Sequence, residues 1–211
     1  MGVGRDVVDV FASGSLIMPL VIDVPAPPTD KPRTRTARVA VVRTRPETVI
    51  EDYGRVMHLA GYSDVLTRDR DTLLKLNLSW TKYFPSCSSQ PWQVDGVIAT
   101  MLRDGFERRR LIPIENRTVV TDPRKGCRNN RWEGVLDRFD LTFTPLPEVE
   151  WRVYPFKSPL LKLNEIFPEG IQIPAIYPGR QILHMPTVKT HGHAMMTGSV
   201  KNSFGGLLRE V

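Results

Sequence analysis

The chain has 211 residues, 41% of them hydrophobic and 25% charged. That balance belongs to a globular protein and excludes disordered, collagenous and fibrous classes. Lys and Arg number 29 against 23 Asp and Glu, a formal net charge of +6, and two cysteines can supply neither a disulfide framework nor the four thiolates of an iron–sulfur cluster.

The first apolar run, Leu16 to Ile22, is broken by Pro19 and closed by Asp23, far short of the ~20 apolar residues that cross a bilayer. Asp6 and Asp9 disfavour a secretory signal, and Asp6 stands where a myristoylation motif needs Ser or Thr. The expectation is a cytoplasmic protein without membrane contact, its Cys87 and Cys127 free. Residues 1–36 read as a flexible N-terminal arm and Pro-rich linker, with Pro25, Pro27, Pro28 and Pro32 opposing regular structure. Six cations and no acid lie between Lys31 and Arg45, either a solvated linker or an arm that touches phosphate.

Residues 37–211 read as one α/β domain. Ala37 to Val42 is a nearly continuous apolar run, as in a strand buried on both faces. Thr44, Pro46 and Glu47 then make a helix start, running to Ala60 with Gly61 as the stop. Leu73 to Ser79 is a strand with Leu74, Leu76 and Leu78 on one face and Lys75, Asn77 and Ser79 on the other. Ser88 or Ser89 caps a helix from Pro91 to Gly105, whose stripe is Val94, Val97, Ile98 and Met101. Leu111 to Glu115 is a strand despite Pro113, Arg128 to Phe139 a short helix, residues 140–180 mostly irregular, Gln181 to Met185 a strand, and Thr197 to Leu208 a helix weakened by Gly205 and Gly206. Alternating strands and helices imply a mainly parallel sheet with flanking helices in three layers. Right-handed crossovers then bring the strand C-termini to one rim, where ligands of such sheets bind.

Two stretches should meet there. One carries Lys75, Asn77, Ser79, Lys82, Cys87 and Ser88 and runs into a helix N-terminus, which favours an anion. The other carries Lys189, Thr190, His191, Lys201 and Asn202. From Arg180 to Arg209 there are four cations, three of the four histidines and no acid. Such a field suits a phosphate, a carboxylate or an anionic cofactor of unspecified identity, and lacks the carboxylates that hard cations need. His191 is the best proton donor or acceptor and Lys189 the nearest charge. Cys87 is either a small buried residue or a nucleophile. His184, His191 and His193 could ligate a soft metal, although hydrogen-bonded histidines fit as well, and no metal site is assigned. Two further readings stay open. One is nucleic-acid binding through the arm and the Arg103 to Arg131 region, which has nine cations and four acids, with Trp80, Tyr83 and Trp92 as stacking surfaces. The other is a non-catalytic piece of a larger assembly.

The sequence also resembles the family called domain of unknown function 362. The residues that carry the likeness are Leu74 to Pro85, Gln90 to Gln93, Glu115 to Pro123, His184 to His191 and Thr197 to Gly206, and it extends from about residue 37 to the end. The resemblance implies an α/β protein. Some members are fused to ferredoxin-type iron–sulfur modules, which implies redox or metallocofactor work and an enzyme of oxidoreductase type. Members continue beyond the Lys201 to Gly206 block, so the resemblance implies a chain truncated at its C-terminus, with an incomplete sheet.

Overall fold

The structure, a computed structural model, describes residues 20–24, 37–157, 161–192 and 194–207. In chain order the elements are β1 (Leu20–Val24), β2 (Ala37–Val41), α1 (Val49–Leu59), β3 (Thr72–Lys75), α2 (Pro91–Arg103), β4 (Leu111–Glu115), α3 (Pro123–Asn129), α4 (Trp132–Arg138), β5 (Thr144–Pro145), β6 (Trp151–Val153), α5 (Leu163–Ile166), β7 (Gln172–Pro174), β8 (Gln181–His184), β9 (Lys189–His191), β10 (Met195–Thr197) and α6 (Ser199–Leu207).

Four strands form the central parallel sheet, in the order β5-β4-β3-β8. The expected mainly parallel α/β fold is therefore the observed one. From β3 the chain steps outward to β4 and then β5, and afterwards crosses back to place β8 on the other side of β3. The point where the order reverses, between the C-terminal ends of β3 and β8, is where ligands of open parallel sheets sit.

Side-chain alternation sets the two faces. Leu74, Leu76 and Leu78 enter one apolar core with Val94, Val97, Ile98 and Met101 of α2, Met57 of α1, Cys127 of α3, and Trp132, Val135 and Leu136 of α4. Each fully buried Leu contributes about 2–3 kcal/mol by its removal from water. Leu73, in register with Ile112 and Ile182, turns to the opposite face, where Ile114 and Leu146 complete a smaller core under Trp151 and Tyr177. Small residues let α1 and α2 approach closely: a side chain at Gly96 would meet the Ile50 carbonyl at 2.7 Å, and one at Gly54 the Thr100 hydroxyl at 2.6 Å.

Several expectations need correction. The Ala37 to Val42 run is no buried central strand, because β2 pairs antiparallel with β1 outside the main sheet and leaves Val39 and Val41 40% and 51% exposed. The first helix starts later than Thr44. A turn occupies 46–48, and Thr48 donates its hydroxyl to Asp52. The Arg128 to Phe139 helix is two helices, split where Arg131 takes a left-handed φ of 62°. The 140–180 region contains the antiparallel β6–β7 pair and the four-residue α5 as well as irregular chain. Neither Ser88 nor Ser89 caps α2; Gln90 occupies that position without a side-chain cap bond. Residues 1–19 and 25–36, most of the expected arm, lie outside the described residues.

Candidate functional site

The rim is built from β3 outward. Strands on both sides make β3 central, so Lys75, its last residue, faces no water. It is 1% exposed, with Ile114 and His184 as its register neighbours. A buried ammonium requires partners. Lys75 Nζ donates to Glu115 Oε1 at 2.5 Å, to the Leu76 carbonyl at 2.9 Å and to Asn202 Oδ1 at 3.2 Å. Glu115, 4% exposed, also accepts from the amides of Asn116 and Leu78, each at 2.7 Å. Burial pushes its carboxyl above the ordinary carboxylate range, while Lys75 and those amides pull it back. Lys75 and Asn77 are thus buried residues of a central strand and its continuation, not solvated side chains of an edge strand.

Helix α6 closes over this pair. Asn202 Nδ2 returns a bond to the Lys75 carbonyl at 3.3 Å, and Asn116 Nδ2 donates to the Gly205 carbonyl at 2.9 Å. A side chain at Gly206 would meet the Tyr177 hydroxyl at 2.5 Å and Lys75 Cε at 2.8 Å. The glycine read as a weakness of the helix is what lets the helix touch Lys75.

The strand ends at Lys75, short of the expected Ser79, and the chain beyond it is irregular but tied down by hydrogen bonds. Asn77, 8% exposed, accepts at Oδ1 from Lys189 Nζ at 3.0 Å and from the Thr187 amide at 3.2 Å. Ser89 Oγ accepts from the Asn77 amide at 2.8 Å and donates to the Met185 carbonyl at 2.6 Å, while Ser88 Oγ accepts from the Ser79 amide at 3.2 Å. The two serines thus stitch the β3 extension to the α2 approach and to β8. Lys189 is half-buried. Burial lowers its pKa, Cys87 pulls it back up, and Lys201 pushes it down again. Neither Lys189 nor Lys201 forms an ion pair with a described carboxylate.

The structure brings Lys75, Asn77, Ser79, Ser88, Lys189 and Asn202 together, with Cys87 and Lys201 within electrostatic reach of Lys189. Lys82 is exposed on the following loop and Thr190 on β9. His191 is half-buried, and its Nδ1 accepts from the Ala194 amide at 3.2 Å, which puts the ring proton on Nε2. Cys87 lies in the turn before α2 and not on its first turn. Cys127 is buried in α3, where burial drives its thiol up to about 12. His184 Nε2 pairs with Ser203 Oγ at 2.8 Å, and burial, helped by Lys75, pushes it down to about 4. Its Nδ1 has no partner. Among the described residues no group of three His, Cys, Asp or Glu could hold a metal ion, and His193 lies outside them.

Glu115, Tyr177 and Ser203 are the participants that sequence reasoning missed. Glu115 ends a recognised strand, and Lys75 on the polar face of the neighbouring expected strand was the available signal for it.

Residues 72–210 match the family described as Domain of unknown function (DUF362), more than half of the chain. The chain belongs to the DUF362 family. The matched span begins at the first residue of β3 and takes in every strand of the parallel sheet together with α6, so it contains the elements that build the rim. No curated protein and no solved structure matches the chain. Among the described residues no helix is long and apolar enough to cross a membrane.

Proposed function

We propose that this DUF362 protein binds an anionic ligand, of phosphate or carboxylate type, in the crevice between the C-terminal ends of β3 and β8. The observation that carries the reading is Lys189: a half-buried ammonium at the point where the strand order reverses, held by the neutral Asn77 and by no acid. Lys75 is not part of the free charge. Glu115 neutralises it, and the pair serves as a fixed floor that anchors α6 through Asn202. An incoming anion supplies the counter-charge that Lys189 lacks, and charge-assisted bonds to it contribute about 1.5–3 kcal/mol each.

The nucleic-acid reading has less support. Within the Arg103 to Arg131 region, Arg108 pairs with Asp140, Arg109 with Glu107, Arg110 with Asp71, Arg124 with Glu148 and Lys125 with Asp122.

The test is thermal unfolding at low ionic strength with increasing phosphate or malonate. A ligand that binds only the native state raises the melting temperature in proportion to ln(1 + [L]/Kd). The wild type is expected to shift with at least one anion, and Lys189→Ala to lose that shift. A wild type indifferent to both anions, or a Lys189→Ala variant that shifts as the wild type does, refutes the proposal.

A further inference from the structure

We infer that the charged end of that ligand is a phosphate monoester, seated where β10 passes into α6 and held by the Thr197 hydroxyl, the first-turn amides of α6, Lys189 and Lys201. The inference rests on the anion-binding reading above and narrows it.

The register of the β9–β10 pair places the site. Thr197 stands directly opposite Lys189, and Met195 directly opposite His191. Directly opposed residues of an antiparallel pair project from the same face, their Cβ atoms about 4.5–5.5 Å apart. Lys189 reaches from that face to Asn77 at the sheet rim. Thr197 therefore points toward the same crevice. It is 1% exposed, and its Oγ1 has no hydrogen-bond partner. Buried hydroxyls are almost always paired, so an unpaired one facing a half-buried ammonium marks a donor awaiting an acceptor.

Two residues on, α6 begins. Its first backbone bond runs from the Asn202 amide to the Gly198 carbonyl, at 2.9 Å, and the amides of Ser199, Val200 and Lys201 make no hydrogen bond to any described residue. The helix spans nine residues, so its N-terminal dipole adds to the positive field. Lys201 lies on that same first turn and adds a second positive charge to the field that acts on Lys189.

The donor set selects among anions. The set offers two ammonium groups, three amides and a hydroxyl, and contains no carboxylate. A carboxylate has one charge and two oxygens and would leave much of this set unmatched. A phosphate monoester carries close to two charges at neutral pH and offers three terminal oxygens, each able to accept more than one bond. The ester's organic group then lies outward, where the face carries His191 and the 84%-exposed Met195.

The experiment is calorimetric titration of the full chain with glycerol 2-phosphate and with malonate at pH 7.5, repeated for Thr197→Val, Thr197→Ser and Lys189→Ala. The monoester is expected to bind at least tenfold tighter than malonate, and to weaken below about pH 6 as it becomes a monoanion. Thr197→Val is expected to lose about tenfold toward the monoester while leaving malonate unchanged, and Thr197→Ser to restore it. Because Thr197→Val removes only an unpaired buried hydroxyl, its melting temperature should equal or exceed that of the wild type. A lower melting temperature, monoester binding unchanged by Thr197→Val, or malonate binding as tight as the monoester would each overturn the phosphate assignment. In those cases loss of all anion binding in Lys189→Ala would still uphold the broader reading. Absence of binding by either probe to the wild type would overturn both.

Discussion

Replacing Lys75 with Met keeps most of the unbranched side chain but removes the ammonium and strands Glu115. Both partners are almost wholly buried, at 1% and 4% exposure, and 2.5 Å apart, so loss of one leaves an uncompensated charge in the sheet. Breaking a buried pair in this way costs about 3–5 kcal/mol, a large share of the 5–15 kcal/mol that holds a typical domain together. Loss of the donor to Asn202 Oδ1 falls within the same range. The pH dependence is diagnostic. Burial already raises the Glu115 carboxyl, and Lys75 is the strongest influence pulling it back down; without it the native-state pKa climbs further, while the unfolded value stays ordinary. A group whose folded pKa lies above its unfolded one favours folding below the unfolded value, and that contribution is lost as pH rises through the folded pKa. Lys75→Met should therefore be much less stable in urea at pH 8 than at pH 5. Adding Glu115→Gln, which retains acceptors for the Leu78 and Asn116 amides, should recover at least half of the loss at pH 8. A loss below about 1 kcal/mol, equal at both pH values and unaffected by the second substitution, would refute the claim that this pair is a buried, coupled unit.

Three further outcomes follow from the same geometry. Gly206→Ala should cost about 1–3 kcal/mol by overpacking, because its Cβ would meet Lys75 Cε and the Tyr177 hydroxyl; Tyr177→Phe in the same chain should return part of it in urea denaturation, and an additive double variant would contradict the contact. His184 is held neutral with its pKa near 4, so its contribution is complete above the unfolded value of about 6.5 and lost as pH falls from there toward 4. His184→Gln should flatten stability in that window, and an unchanged profile would assign the acid limb to other groups. Finally, a thiol reagent at pH 8 should label Cys87 readily and Cys127 only after unfolding, since Cys127 is buried with its thiol driven to about 12; rapid labelling of both would show that α3 opens easily.

The parts of the fold legible in the sequence are those governed by local periodicity. Leu74, Leu76 and Leu78 alternate with Lys75 and Asn77, which fixes both faces of β3, and the stripe Val94, Val97, Ile98 and Met101 fixes the buried side of α2. An apolar run does not say which strand it will pair with, so Ala37 to Val42 was legible as a strand but not as one lying outside the main sheet. The Lys189–Asn77 bond spans 112 positions and the Lys75–Asn202 bond 127. Parallel topology foretold that these segments would share a rim, yet no spacing rule foretold that Glu115 would occupy Lys75 and leave Lys189 as the unmatched charge. Ser88 and Ser89 misled for a physical reason: a hydroxyl before a helix can satisfy any nearby amide, and here the two hydroxyls accept from the amides of Ser79 and Asn77 instead of capping α2.

The link between Lys75 and α6 has a consequence for biosynthesis. β3 and β4 leave the ribosome long before Asn202 does, and can pair as soon as both have emerged. Until residue 202 arrives, Lys75 lacks its bond to Asn202 Oδ1, and until residue 205 arrives, Asn116 lacks the carbonyl that receives its side-chain amide. A nascent chain arrested before that point would hold a sheet with an open rim, leaving a charged pair wet that the finished protein keeps dry.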